Sequence, residues 1–142
     1  MGGPGISFQW EMNGTVIRND NILNLLAIDA SYGGNYTCIV SNAAGTDSVS
    51  TTLYVAPYIV TRLEKQTLTT SGSNVNINCV IAGFPTPSVK WIDNLGIEVS
   101  NSSQLELNQV MFGDEGVYHC VSFIVINGTN FTAMDETTVI GN

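Results

Sequence analysis

Positive charge is what this chain has least of. Only 4 of its 142 residues are Lys or Arg, against 12 Asp or Glu and one His, for a net charge of −8. Such a surface repels phosphate backbones and offers no cationic patch, so no nucleic-acid partner is expected. Charged residues of either sign make up 11%, which leaves solubility to neutral Ser, Thr and Asn side chains. No run of about 18 apolar residues occurs, so no segment is read as crossing a bilayer as a helix. Membrane attachment is expected only through parts of a parent protein outside this sequence. The start, Met1-Gly2-Gly3-Pro4-Gly5-Ile6, lacks the basic and apolar regions of a secretory signal, and Ile6 stands where a myristoylation pattern needs Ser or Thr. It is read as a cut from something longer that begins at an added Met.

Histidine and cysteine are scarce too. Cys38, Cys79 and Cys120 lie about 40 residues apart, and His119 is the one histidine, so no metal-ligand cluster and no cofactor is expected. His119 sits between Tyr118 and Cys120 on an alternating segment and is read as a solvated residue of an outer sheet face. Asp114 and Glu115, adjacent at a turn, diverge and do not form a catalytic carboxylate pair. Gly2-Gly3 and Gly33-Gly34 do not stand between a strand and a helix, as phosphate loops do. Neither an enzyme nor a small-molecule substrate is read from these residues.

What is present is a repeat. One stretch runs Trp10, Leu23, Leu25, Ile28, Gly34, Tyr36, Cys38, and a second runs Trp91, Leu105, Leu107, Val110, Gly116, Tyr118, Cys120. Counted back from the last cysteine the offsets are identical, except that the tryptophans differ by one residue. Only the second copy has a cysteine upstream of its tryptophan, Cys79. Hydrophobic residues at 44% suffice for packed cores. Short alternating segments between turn residues predict strands near 6–12, 15–18, 22–25, 35–41 and 47–55, then 59–63, 75–81, 88–92, 97–99, 104–107, 117–126 and 130–139. Asn127-Gly128 predicts a tight hairpin between the last two, and Gly83-Phe84-Pro85-Thr86-Pro87 predicts a break.

The frame Cys79-x11-Trp91, Leu105-x-Leu107, Asp114-x-Gly-x-Tyr118-x-Cys120 resembles the immunoglobulin fold, and Asn42-Ala-Ala-Gly45 after Cys38 resembles its I-set branch. The resemblance covers nearly the whole chain. It implies an all-β protein of two immunoglobulin-like β-sandwich (Greek-key) modules in tandem: a partial one over 1–56, N-terminally truncated, and a complete one over 57–142. The short apolar linker predicts modules standing end to end with restricted bending. The family implies a Cys79–Cys120 disulfide bridging two sheets about 10 Å apart beneath Trp91, and tyrosine corners at Tyr118 and Tyr36. Alternation places Val75, Ile77, Cys79 and Ile81 on one inner face and Val89 and Trp91 on the facing strand, with Leu105, Leu107, Tyr118, Cys120 and Ser122 completing the layer between the sheets. In the first copy Tyr32 replaces Asp114, so the corner salt bridge of the family is absent. Gly2-Gly3-Pro4 aligns with Gly83-Phe84-Pro85, which puts the missing cysteine partner before residue 1. Trp10, a core tryptophan by alignment, is then partly uncovered and Cys38 a free thiol.

Five sequons, at Asn13, Asn35, Asn101, Asn127 and Asn130, together with the implied disulfide, predict an extracellular or cell-surface location. On the strand over 117–126 alternation sends Val121, Phe123 and Val125 outward, joined by Ile92, as a candidate protein-binding face. The corresponding outward set of the first copy, Ser7, Gln9, Glu11, Thr37, Ile39 and Ser41, is mostly polar. The implied function is non-catalytic recognition or cell adhesion, with a protein ligand or a second copy as partner. Two rivals are a piece of a receptor tyrosine kinase or phosphatase ectodomain and an intracellular structural I-set array of the muscle-filament kind.

Overall fold

Val, Ile, Thr, Tyr and Phe alternating with Ser, Thr and Asn suit a pleated surface packed on one side and wet on the other. The computed structural model, which describes residues 5–141, arranges these segments in two units, one ending at Val55 and one beginning at Ala56. Gly2-Gly3-Pro4, matched above to Gly83-Phe84-Pro85, lies outside the described residues.

The first unit is one antiparallel sheet. Its strands are β1 (Ser7–Met12), β2 (Thr15–Arg18), β3 (Gly34–Asn42) and β4 (Gly45–Leu53), in the order β2-β1-β3-β4. Asn13-Gly14 closes the first hairpin with φ of 50° and 87°, the left-handed pair that a two-residue turn requires. Asn42 closes the next, its Oδ1 accepting from the backbone N–H groups of Ala44 (2.8 Å) and Gly45 (3.1 Å).

The second unit contains β5 (Val55–Thr61), β6 (Gln66–Thr69), β7 (Val75–Asn78), β8 (Val80–Phe84), β9 (Ser88–Asp93), β10 (Glu98–Ser100), β11 (Gln104–Leu107), β12 (Gly116–Ile126) and β13 (Thr129–Gly141). One sheet runs β10-β9-β12-β13-β6, with β6 parallel to β13, and the pairs β11-β7 and β5-β8 complete the all-β architecture. Two expectations are corrected here. The strand expected over 75–81 is interrupted at Cys79, and its second half runs on to Phe84, so the break falls only at the cis Phe84–Pro85 bond. The strand expected over 59–63 ends at Thr61, and the chain then changes sheets to form β6, which was not expected. The backbone N–H of Leu63, in the crossover, donates to Asp135 Oδ2 at 2.8 Å.

The offset between the tryptophans arises at the hairpin after them. Trp10 pairs with Arg18, whereas Trp91 pairs with Ser100, one residue further along; the extra residue lies in the wider Asp93–Ile97 turn. Asp93 fills that turn, its Oδ1 accepting from the N–H groups of Leu95 and Ile97.

The core of the second unit is Cys79, Trp91, Leu105, Tyr118, Cys120 and Val139, with Ile77, Ile81, Val89 and Leu107 packed against it. Cys79 and Cys120 are disulfide-bonded, with Cα atoms 6.4 Å apart. Trp91 is fully buried, and its Nε1–H donates to the carbonyl of Ser103 at 2.9 Å, which also accepts from the N–H of Cys79 at 2.8 Å. One carbonyl thus fixes both the indole and the disulfide strand. Truncating such an indole costs about 3–5 kcal/mol.

The first unit lacks this arrangement, and one expectation, the strand over 22–25, is corrected with it. Trp10 is only half-buried and its Nε1–H is shielded from water without a hydrogen-bond partner among the described residues. Cys38, opposite Trp10 in the ladder, is a half-buried free thiol. No strand forms over 22–25: the matching strand β11 is held by β7 through pairs such as Leu105 with Ile77, and among the described residues the first unit has no strand in the place of β7. Leu23 and Leu25 therefore pack as irregular chain, half-buried.

The loop closed by the disulfide spans 41 residues, so replacing both cysteines by alanine is expected to cost about 4 kcal/mol on the chain-entropy account. Urea denaturation followed by tryptophan fluorescence reads this as a lower midpoint with a steeper slope, because the unlinked denatured chain exposes more surface.

Candidate protein-interaction face

Alternation along β12 creates two different surfaces from one strand. Tyr118, Cys120 and Ser122 are buried, and Ser122 Oγ has no hydrogen-bond partner among the described residues. His119, Val121, Phe123 and Val125 take the opposite side. Ladder register supplies their neighbours. His119 stands between Ile92 on β9 and Glu136 on β13; Val121 between Lys90 and Met134; Phe123 between Ser88 and Thr132; Val125 opposite Asn130. Glu98 on β10 joins the same side beside Ile92.

The expected apolar stripe is therefore present as a row but is not uniformly exposed. Val125 is 63% exposed and Met134 58%, whereas Ile92, Val121 and Phe123 are half-buried. One cause is Lys90, whose Nζ lies 5.7 Å from the centroid of the Phe123 ring, so that its stem lies along apolar surface while the ammonium faces the ring's negative side. His119 also departs from expectation. Its Nε2 is 3.4 Å from Glu136 Oε1, its side chain is 25% exposed, and its Nδ1 is buried without a hydrogen-bond partner among the described residues. A histidine between two strands' side chains is covered by them rather than solvated.

Lys90, Met134 and Glu136 were not expected as members of this face. Met134 and Glu136 could have been found by counting out from Asn127-Gly128, since a two-residue turn pairs Ile126 with Thr129 and every later pair in step. Lys90 depends on the β9–β12 register, which no local signal sets.

Each unit carries a tyrosine corner on a 3-10 turn. Tyr118 Oη–H donates to the carbonyl of Asp114 at 2.6 Å after the turn Phe112–Asp114, and Tyr36 Oη–H donates to that of Tyr32 after Ala30–Tyr32. Asp114 Oδ2 accepts from the N–H of Met111 at 2.9 Å and so closes its turn. In the first unit that role moves to Asp29, whose Oδ1 accepts from the hydroxyl of Ser31 and from its N–H at 2.9 Å; those two bonds, the hydroxyl's first, hold its carboxyl below the usual range. Burial, and then the charges of Asp114 and Asp93, push the Tyr118 hydroxyl above its ordinary value; burial does the same at Tyr36.

All five sequon asparagines are exposed. Asn13 and Asn127 each begin an Asn-Gly turn with φ of 50°. Asn13 and Asn35 clasp each other: Asn13 Oδ1 accepts from the N–H of Asn35 at 3.1 Å, and the N–H of Asn13 donates to the carbonyl of Asn35 at 3.0 Å. Among the described residues no three His, Cys, Asp or Glu side chains are placed to hold a metal ion.

The family described as immunoglobulin domain matches residues 56–122. The chain is 30% identical to hemicentin-1 of Mus musculus over 98% of its own length, and 31% identical to cell adhesion molecule Dscam2 of Drosophila melanogaster over 77%. It spans only 3% and 6% of those relatives. The I-band fragment I67-I69 from titin shares the fold, with a TM-score of 0.54 and 24% identity, over 96% of this chain and 55% of that one.

Replacing Tyr118 by phenylalanine is expected to cost about 1 kcal/mol at neutral pH, the worth of one hydrogen bond. Because the folded hydroxyl titrates above 10.0, the corner's contribution is whole below that pH and is lost as pH rises through the folded value. Denaturant titrations from neutrality into the alkaline range should show stability falling, and falling less in the Tyr118→Phe chain.

Proposed function

The chain belongs to the immunoglobulin superfamily, and from that premise we propose that it is a non-catalytic recognition and cell-adhesion segment of a larger extracellular protein. Its second unit binds protein through the outer face of the five-stranded sheet, and the partner to test first is a second copy. The observation that carries this reading is the row Ile92, Val121, Phe123 and Val125 flanked by charges of both signs, Lys90 on one side and Glu136 on the other. An apolar strip with a polar rim is the anatomy of a protein contact. Carrying both signs on one patch also suits an isologous pairing, in which each copy offers the other what it needs.

The extracellular placement is supported by the cross-sheet disulfide, which persists in oxidising compartments, by the exposed sequons and by relatives such as Dscam2, whose name is that of a cell adhesion molecule. No helix among the described residues is long and apolar enough to cross a membrane. The fold likeness to titin favours a second reading, an intracellular structural array. Mass spectrometry of protein from its native host separates the two: glycosylated asparagines and a Cys79–Cys120 link are expected, while free thiols and bare asparagines would favour the structural array.

Phe123→Asp places a carboxylate at the centre of the row. Sedimentation of the intact, unglycosylated chain is expected to show self-association that this substitution abolishes; unchanged association would remove the face from consideration.

A further inference from the structure

The sequon asparagines differ in what a glycan attached to each would cover. Asn13 and Asn35 are engaged with each other in the first unit, and Asn35 Oδ1 also accepts from Thr52 Oγ1 at 2.8 Å. Asn101 lies in the bend between β10 and β11, and Asn127 in the turn itself. Asn130 alone among the five stands within the ladder of the second unit, directly opposite Val125. Paired residues on neighbouring strands project to the same side, with Cβ atoms about 5 Å apart. The Asn130 side chain is therefore on the outer face, one pair along from Thr132 and Phe123 on that side. Val125, at 63%, is the most exposed member of the row, and Asn130 is exposed beside it.

From this register we infer that N-linked modification of Asn130 gates the outer face: a glycan there covers Val125 and the approach to Phe123, so bare chains associate through the face and glycosylated ones do not. The inference rests on the face being the docking surface and adds how its use is controlled. The sequon Asn130-Phe131-Thr132 supplies the acceptor amide, and the sugar is bulky and strongly hydrated, so an apolar contact cannot close over it.

The test uses the full chain secreted from a glycosylating eukaryotic host, with site occupancy by peptide mass spectrometry and self-association by sedimentation equilibrium. Wild type is expected to carry a glycan at Asn130. Asn130→Gln is expected to associate at least about tenfold more tightly. Asn101→Gln, which removes a sugar elsewhere, is expected to associate as wild type does. Adding Phe123→Asp to Asn130→Gln is expected to abolish the gain. A bare Asn130 in secreted wild type, equal association of wild type and Asn130→Gln, or an equal gain from Asn101→Gln overturns the gating. If Asn130→Gln does not associate, or does so regardless of Phe123→Asp, the face itself is not the docking surface and the gating falls with it.

Discussion

The bond between Cys79 and Cys120 joins the five-stranded sheet to the strands that face it, and everything that makes the second unit a closed sandwich gathers round it. The indole of Trp91 fills the space beside it, and the Ser103 carbonyl holds both the indole and the Cys79 backbone. Entropy lost from the unfolded chain and apolar area lost from water act here on the same few residues. Because β12 contributes Cys120 from its inner side, its outer side is fixed in direction with the same rigidity. The candidate row, built on the strand that carries the cross-link, shares that rigidity and would need little ordering on contact.

The first unit shows what the same frame does without the cross-link. Its β1–β3 and β3–β4 ladders run without a register shift, its tyrosine corner is formed and Tyr36 is buried, yet Trp10 and Cys38 are only half covered and the segment over 22–25 stays irregular. Hairpins and corners are local and form from nearby residues. A strand such as β11 exists only where a distant strand offers it hydrogen bonds.

That division also explains how much could be read beforehand. The two-residue hairpin at Asn127-Gly128 and the inward set of β12 rest on short-range chemistry and on a period of two, and were legible; the corner tyrosines were legible through the family frame. β6 was not, because Gln66-Thr67-Leu68-Thr69 has no marked apolar alternation; it is a strand through its parallel pairing with β13 and the contact of Thr67 Oγ1 with Thr137 Oγ1 at 2.9 Å. The interruption at Cys79 was hidden for a similar reason: the Cys79 N–H to the Ser103 carbonyl is the last bond of the β7–β11 ladder, and β8 then takes β5 as its partner. At the candidate face the apolar row was legible, but its partial cover by Lys90 and the enclosure of His119 depend on which strands become neighbours.

The late arrival of β6 has one more effect. It pairs with β13 only over Thr138–Gly141, so among the described residues the preceding part of β13 is a free sheet margin with backbone groups able to recruit another strand. Asp135 sits in that margin, half-buried on the inner side opposite Cys120 and occupied by the Leu63 N–H. A charge turned inward at a sheet margin penalises any chain that would lie down beside it. Runaway fibre growth along the sheet is thereby discouraged, and encounters between folded molecules are left to meet broadside.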